Sequence, residues 1–405
     1  MKRSIHSMLA LLVLAAVMAC HDATRPDPIP VPPPPPPPTV VSVTVTANRN
    51  LFEPGDTEPL RAVVVDAEGH PLEDRPIAWT SSDTSVATVG AAGVVTAREA
   101  GLVAISATSE GRSGFVRLAV TDPPSADLLY HRANGIFVLG TRPGSIPTRV
   151  HASLVSRRPA ASPDGDRIAF AASMISPTGE AIDDIYLIDR AGTNLRRLTT
   201  AEGWDDMPSW SPIPESRLIT YVHRDAETAR DDIWVVRDDG TGARNLTADM
   251  PANLMRGNPA WSPDGQWIAF DQSNTAPGSR GGGLWIMRVN GTSKRQLSDN
   301  PGDDFDLHPS WSPDGQRIVF ARDGLAIVTV ATGAVVRLTL PGVIRAPAWS
   351  PDGRHIAFAR AGTEPGLGSW DIYTVHPDGS DMRRRAADVA RLGNTVEPSW
   401  IGGTP

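Results

Sequence analysis

The sequence predicts an all-β protein, and three observations support that class. Proline and glycine are abundant, with 38 and 36 residues among 405, while aromatic residues make up only 6% of the chain. Short runs rich in Val, Ile, Thr and Ala alternate with turn residues, as in strands joined by tight turns. No long stretch repeats apolar residues at the period of a helix. The chain is long enough for two or three domains.

Residues 1–19 have the composition of an export signal. Two basic residues precede an apolar run, Met8–Ala19, that is too short for an ordinary membrane-spanning helix. The only cysteine, Cys20, follows directly in the sequence VMAC, which resembles a bacterial lipobox and implies cleavage before Cys20 and its acylation. We therefore expect an exported lipoprotein anchored in the outer membrane, on its periplasmic side or at the cell surface. An ordinary signal peptide with a free thiol is the alternative.

Residues 20–38 combine the lipidated cysteine with a proline-rich linker. The seven consecutive prolines at residues 32–38 favour an extended polyproline helix. At about 3.1 Å per residue, Pro26–Pro38 would span roughly 40 Å. A spacer is the expected role, and a ligand for an aromatic groove is the alternative.

Residues 39–122 alternate short strands with turns, and some seven strands in this length suit an Ig-like β-sandwich. The run WTSSDTSVATV begins at Trp79 and is followed by GVVTA at Gly93. This run resembles the bacterial Ig-like (Big) family, group 2. The resemblance implies that Trp79 is a core residue and that the domain serves as a stalk or an adhesion module.

Residues 127–402 repeat one motif. Ser-Pro pairs begin at Ser162, Ser211, Ser262, Ser312 and Ser350, with spacings of 49, 51, 50 and 38 residues. A fixed period of this size predicts a solenoid or a propeller. In most units a strand ends in tryptophan, the turn Ser-Pro-Asp-Gly or a variant follows, and a second turn commonly places Asp or Asn before Gly.

Four antiparallel strands in each unit correspond to one blade of a β-propeller. Five units are nearly complete, residues 128–150 supply a sixth without its opening strand, and PSWIGG at Pro398 supplies that strand. We therefore predict six blades, the last one closed by both chain ends. The motif resembles the WD-like repeats of TolB-type propellers. Five tryptophans at equivalent positions are predicted to pack between blades: Trp210, Trp261, Trp311, Trp349 and Trp400.

Motifs of catalysis are lacking in the sequence, including nucleophile elbows, zinc-protease helices and phosphate-binding loops. Prolyl oligopeptidases place a hydrolase domain after a similar propeller, but only a few residues follow Trp400 here. The sequence therefore predicts no enzyme, no catalytic residue, no cofactor and no metal site. A net charge of −8 argues against nucleic acid as a partner.

The loops that join successive units vary in length and sequence, as expected at a binding face. Strand alternation places them on one side of the disc. These loops carry the predicted partner-binding residues, the last of which directly precedes the final strand: Trp204, Asp205, Asp206, Arg256, Asp304, Asp306, His308, Arg345 and Glu397. A merely solvated rim is one alternative, and a Ca²⁺ site on Asp303, Asp304 and Asp306 is another.

The leading functional hypothesis is a non-catalytic, monomeric lipoprotein of the cell envelope that presents its propeller as a protein-binding scaffold. The TolB resemblance implies an envelope protein or peptide as partner, such as a peptidoglycan-associated lipoprotein. TolB carries an α/β domain before its propeller, where this chain has an Ig-like domain. The alternative is a carbohydrate-binding propeller, or one that acts as a polysaccharide lyase with a metal site in its channel.

Overall fold

The computed structural model describes residues 37–124, 126–132, 135–141, 145–152, 156–175, 181–274, 282–298, 305–361, 369–391 and 396–401. Strands dominate these residues, as the sequence predicted, with one short 3-10 helix at Pro214–Ser216. No helix among them has the length and apolarity needed to cross a membrane. The predicted export signal, Cys20 and most of the proline linker lie outside the described residues.

The first domain is a β-sandwich. Its strands are β1 (Ser42–Thr46), β2 (Leu51–Phe52), β3 (Thr57–Pro59), β4 (Arg61–Val65), β5 (Ala78–Ser81), β6 (Ala87–Val89), β7 (Val94–Ala97), β8 (Gly101–Ser109) and β9 (Arg112–Val120). They form sheets of order β2-β9-β8-β5, β3-β7-β6 and β1-β4. Phe52, Ile105 and Leu118 are buried in the core. Trp79 packs against that core, in agreement with its predicted role.

The second domain is a propeller with four-stranded blades. It begins with β10 (Asp127–Arg132), β11 (Gly135–Leu139) and β12 (Thr148–His151). Blade 1 consists of β13 (Ser156–Ala161), β14 (Arg167–Ile175), β15 (Ala181–Asp189) and β16 (Arg196–Arg197). Blade 2 consists of β17 (Gly203–Trp210), β18 (Leu218–Asp225), β19 (Asp231–Arg237) and β20 (Arg244–Asn245).

The remaining blades follow the same pattern. Blade 3 consists of β21 (Leu254–Trp261), β22 (Trp267–Asn274), β23 (Gly282–Arg288) and β24 (Arg295–Gln296). Blade 4 consists of β25 (Leu307–Trp311), β26 (Arg317–Ala321), β27 (Leu325–Thr329) and β28 (Val335–Leu338). Blade 5 consists of β29 (Ile344–Trp349), β30 (Ile356–Ala361), β31 (Ser369–Val375) and β32 (Arg383–Arg391).

The last strand, β33 (Ser399–Ile401), completes a sixth blade of order β12-β11-β10-β33. Leu128 of β10 pairs with Trp400 of β33 in antiparallel register. The prediction of six blades, with the sixth closed by both chain ends, is therefore confirmed. This closure ties the start of the propeller to its end and removes a free edge from the ring.

The repeated tryptophans join neighbouring blades, as predicted. Trp261 of blade 3 is buried and donates its indole N–H to the carbonyl oxygen of Ser209 in blade 2, at 3.1 Å. The same bond joins two further pairs of blades, from Trp311 to Ala260 at 3.1 Å and from Trp400 to Ala348 at 2.9 Å. Each buried indole removes about 150–250 Å² from water, which contributes at most roughly 4–6 kcal/mol.

The Ser-Pro-Asp-Gly turns fold through their own side chains. In the turn after Trp261, the Ser262 hydroxyl donates to Asp264 at 2.5 Å and accepts the backbone N–H of Trp267 at 2.9 Å. Gly265 takes a φ of 66°, which favours glycine. The repeated letters thus specify a turn at one end of each hairpin.

The two domains meet at a buried cluster of charges. Arg385 at the start of β32 donates to both carboxylate oxygens of Glu53, at 2.8 and 2.5 Å. Arg383 donates to the carboxylate of Asp56 at 2.5 Å. Glu53 is only 2% exposed, so separating the domains would move a paired charge out of its site. Removing one partner would leave an uncompensated buried charge, which is strongly destabilising.

The tryptophan bonds predict a difference between two conservative substitutions. Trp261→Phe keeps an aromatic ring but removes the single indole N–H that donates to both Ser209 and Thr220, the latter at 3.0 Å. We expect the free energy of unfolding in urea to fall by about 1–3 kcal/mol because buried acceptors lose their donor.

Trp210→Phe is the matched control. The Trp210 indole N–H is buried without a hydrogen-bond partner among the described residues, so its removal leaves no acceptor unsatisfied. Equal losses in Trp261→Phe and Trp210→Phe would show that the inter-blade hydrogen bonds contribute nothing beyond packing.

Candidate functional site

The first strands of the six blades meet around a central channel. Each of these strands contains a residue followed by proline and then by Ala or Ser, except that in the sixth blade the first two of these residues directly precede β33. The six triplets line a cavity of about 190 Å³. In the five blades that follow one another in the chain, the pairing of first and second strand shifts register at the triplet. The residues before proline are Arg158, Met207, Asn258, His308, Ala346 and Glu397. We call these six residues the channel ring.

Three members of the channel ring form an ion network with a neighbour. Arg158 lies with Nε 2.9 Å from Glu397 Oε1 and with Nη1 3.2 Å from Asp206 Oδ2. His308 Nε2 lies 3.5 Å from the same oxygen of Glu397. The network spans the channel because Ala346, between His308 and Glu397 in the ring, has too small a side chain to block it.

The carboxyl groups of the channel differ in their protonation. Burial favours a neutral Glu397, but the Arg158 and His308 side chains outweigh it and lower the pKa of Glu397 to about 2. Burial raises the pKa of Asp271, whose carboxylate accepts from Asn258 Nδ2 at 2.6 Å and from the backbone N–H of His308 at 3.2 Å. Burial also raises the pKa of Asp206, against the opposing effect of Arg158. The channel therefore holds one firmly ionised carboxylate beside two that protonate more readily.

A cleft of about 390 Å³ opens above the channel ring, on the side from which the first strands start. Trp204 and Arg224 stand at its wall, with the guanidinium 5.9 Å from the centre of the indole ring. Arg345 is exposed at the same cleft and stacks over Trp370 at 5.5 Å. The cleft thus offers an aromatic surface and two accessible guanidinium groups.

Five of the predicted partner-binding residues line this cleft together: Trp204, Asp206, Arg256, His308 and Arg345. Glu397 lies in the channel cavity below, beside His308. Arg256 is 2% exposed and its guanidinium binds the Asp232 carboxylate at 3.1 Å, so it supports the wall from inside. Asp304 lies outside the described residues.

Asp205 and Asp306 are placed inside the blades and away from the cleft surface. Asp205 is buried and lies 2.7 Å from Nδ1 of His223. Asp306 is buried and binds Arg322 and the Ser298 hydroxyl. Its carboxylate is thus engaged between blade 4, which carries Arg322, and the end of blade 3, which carries Ser298. Asp303 and Asp304, the other residues of the Ca²⁺ hypothesis, lie outside the described residues.

Sequence reasoning missed several side chains at the site, among them Arg158, Asn258 and Asp271. The signal for two of them was present, since aligning the units on their prolines places Arg158 and Asn258 at one repeated position. Asp271 had no such signal, because only the folded blade brings it under His308. Among the described residues, one group of three potential metal ligands lies elsewhere, in the turn Asp66, Glu68 and His70 of the sandwich.

Comparison with known proteins agrees with the two-domain fold. The sequence of residues 39–120 matches the family model of the Bacterial Ig-like domain (group 2). The whole fold is similar to TolB from Acinetobacter baumannii, with a TM-score of 0.55, 17% identity, and coverage of 83% of this chain and 84% of that one. It is also similar to a putative TolB from Agrobacterium tumefaciens, with a TM-score of 0.50, 16% identity, and coverage of 68% and 98%. These likenesses confirm the predicted TolB-like propeller fold.

One curated relative changes the functional expectation. The chain is 26% identical over 171 residues to the uncharacterized peptidase YuxL of Bacillus subtilis (strain 168). The match covers 35% of this chain and 25% of the relative, so the chain spans about a quarter of that protein. The prediction that the protein is not an enzyme is wrong in light of this relative. That prediction rested on the lack of contiguous sequence motifs. Catalytic groups are defined by their geometry in the fold and can come from separate elements of the chain.

The lowered pKa of Glu397 predicts a pH-dependent contribution to stability. Its value of about 2 lies below the ordinary 4.5, so ionised Glu397 stabilises the fold above about pH 4.5, and that contribution is lost as the pH falls towards 2. We expect Glu397→Gln to lower the free energy of unfolding at neutral pH by about 2–3 kcal/mol.

Denaturant titrations of both proteins at neutral pH and near pH 3 test this prediction. The difference between them should shrink at the lower pH. Glu202→Gln, at an exposed position, is the control and should change little at either pH. A pH-independent difference for Glu397→Gln would contradict the assigned ionisation.

Proposed function

We propose that the protein is an envelope lipoprotein whose propeller binds an acidic oligosaccharide in the cleft above the channel ring. The observation that carries this proposal is the pairing of Trp204 with accessible guanidinium groups in one concave site. Trp204 is 43% exposed, an unusual state for a large aromatic side chain that could otherwise pack in a core. The cleft volume of about 390 Å³ falls within the range of small-ligand sites.

The chemistry of the cleft suits sugars that carry carboxylates. An indole ring offers a flat apolar surface for the C–H face of a pyranose ring. Arg224 and Arg345 can each bind a carboxylate through two parallel N–H donors. The neighbouring Asp206 and Asp231 carboxyl groups have raised pKa values because of burial, so they oppose an anionic ligand less than fully ionised groups would.

Catalysis on a bound chain would use the imidazole at the floor of the cleft. His308 lies 3.5 Å from Glu397, which can orient the imidazole ring. Its Nδ1 is buried and has no hydrogen-bond partner within the described part of the chain. A ligand hydroxyl or N–H group could fill that position. The likeness to a peptidase supports testing for bond cleavage as well as binding.

A second candidate is an envelope peptide as the bound partner. Three large apolar side chains are exposed where the first strands begin: Trp204 at 43%, Met255 at 44% and Phe305 at 43%. Apolar anchors among charged groups are typical of peptide-binding surfaces. The fold likeness to TolB agrees with this candidate as well.

The cleft predicts a large effect of one aromatic substitution. We expect Trp204→Ala to weaken binding of a galacturonate tetramer about tenfold, because the stacking surface is lost. Isothermal titration calorimetry with the full chain in detergent measures this change, and product analysis of the same samples detects cleavage. The affinity should also fall with added salt, since the ligand is anionic.

Trp267→Ala is the matched control for this experiment. Trp267 also carries a stacked guanidinium, with Arg288 at 4.2 Å, but it follows a Ser-Pro-Asp-Gly turn on the opposite side of the disc. Equal losses from both substitutions would place binding outside the cleft. If the tetramer does not bind and an envelope peptide binds in a Trp204-dependent way, the second candidate replaces the first.

The proposed anchoring predicts the behaviour of a Cys20→Ser variant. Acylation requires the thiol, so we expect the substituted chain to move from the membrane fraction to the soluble fraction. Cell fractionation measures the shift, and mass spectrometry of the mature N-terminus detects the acyl chains. A variant that still needs detergent for extraction would contradict the lipid anchor.

A further inference from the structure

The channel ring differs from the residues around it in how it varies from blade to blade. The residue after each ring position is proline in all six triplets, and the next is Ala or Ser in strict alternation. The ring positions themselves carry Arg, Met, Asn, His, Ala and Glu. The fold therefore demands the two following residues and does not dictate the ring residue.

The backbone conformation at the ring positions is a second sign that their side chains have a role beyond folding. The φ angles are 50° at Arg158, 57° at Met207, 49° at Asn258, 56° at His308 and 48° at Ala346. This left-handed conformation favours glycine and is costly for most residues with a side chain, Arg, Met and Ala among them, while Asn and His tolerate it better. None of these positions is glycine, although glycine would serve the bulge best. These positions thus keep a side chain although the backbone conformation alone would favour glycine.

The retained side chains face the space that a ligand would enter. Four of them, Arg158, Met207, Asn258 and His308, also line the cleft, so the ring forms its floor. Arg158, His308 and Glu397 form a charged side of the ring. Met207 and Asn258 lie together on another side, with the Asn258 backbone N–H 3.0 Å from Met207 Sδ. Ala346 leaves an opening between His308 and Glu397.

We propose that the channel ring determines specificity, with each blade contributing one side chain that contacts the end of the bound chain. This inference rests on the proposed function, because it assigns the floor of the same cleft. Trp204 supplies stacking affinity that many chains can use, and the outer arginines favour chains that carry carboxylates. The charged side and the small Ala346 position then decide which terminal sugar fits.

The first test concerns the backbone and needs no ligand. Replacing Met207 with Gly should give a melting temperature at least as high as replacing it with Ala, because glycine adopts the left-handed conformation without cost. Ser310 lies in β25 and, unlike His308 in the same strand, has no positive φ. There the Gly variant should instead melt a few degrees (about 2–5 °C) below the Ala variant. A Met207→Ala variant that melts above Met207→Gly overturns the ring geometry.

The second test measures discrimination between two probes, a galacturonate tetramer and an N-acetylglucosamine tetramer. We expect Ala346→Leu and Met207→Ala to change the ratio of the two affinities about tenfold, as changes in pocket shape do. Trp204→Ala should weaken both affinities and leave their ratio unchanged. A residue that acts only on folding would not alter a ratio measured on folded protein.

The outcomes separate the two proposals. An unchanged ratio in both ring variants, with Trp204→Ala weakening both tetramers, overturns the ring and leaves the proposed function in place. A changed ratio together with the expected melting order supports both. If neither tetramer binds the parent chain, the proposed function and the ring specificity built on it are overturned together.

Discussion

The propeller depends on the contact between each tryptophan and the first strand of the preceding blade. A single blade cannot bury its own faces, so a ring of blades is stable only if each pair is held in a fixed relation. Trp261 and Trp311 meet that need with a buried ring and a hydrogen bond to a backbone carbonyl, and Trp400 makes the same bond with a partly buried ring. Trp349 donates instead to Gly353 in its own turn, at 3.2 Å. That departure coincides with the shortest unit of the repeat.

The fold was largely predictable because short sequence motifs, repeated once in each unit, determine its turns and its blade count. Turns such as Ser262–Gly265 form through contacts within six residues, and the tryptophan period sets the blade count. The clustering of Trp204 and Arg345 at one face also followed from strand alternation. The burial of two side chains could not be predicted in this way. Asp205 and Asp306 occupy the predicted loops and strand starts, but pairing with His223 and Arg322 turns their carboxylates into the blades.

Residues that act across the channel were harder to predict, for a physical reason. Arg158 and Glu397 are separated by most of the propeller sequence and meet only because the ring closes. No local pattern encodes that distance. The same closure places His308 within 3.5 Å of Glu397, so the electrostatics of the channel is a property of the complete ring. Any change that opens the sixth blade would therefore disturb the site before it unfolds the other blades.

The buried contact between Arg385 and Glu53 also fixes which way the cleft points. Arg385 lies just after the tight turn between β31 and β32, on the side of the disc opposite the cleft. The sandwich therefore contacts the propeller on the side opposite the cleft. Because buried charges hold the sandwich against the propeller, the two domains move as one body. Any ligand of the cleft must therefore arrive from the side of the propeller that faces away from the sandwich.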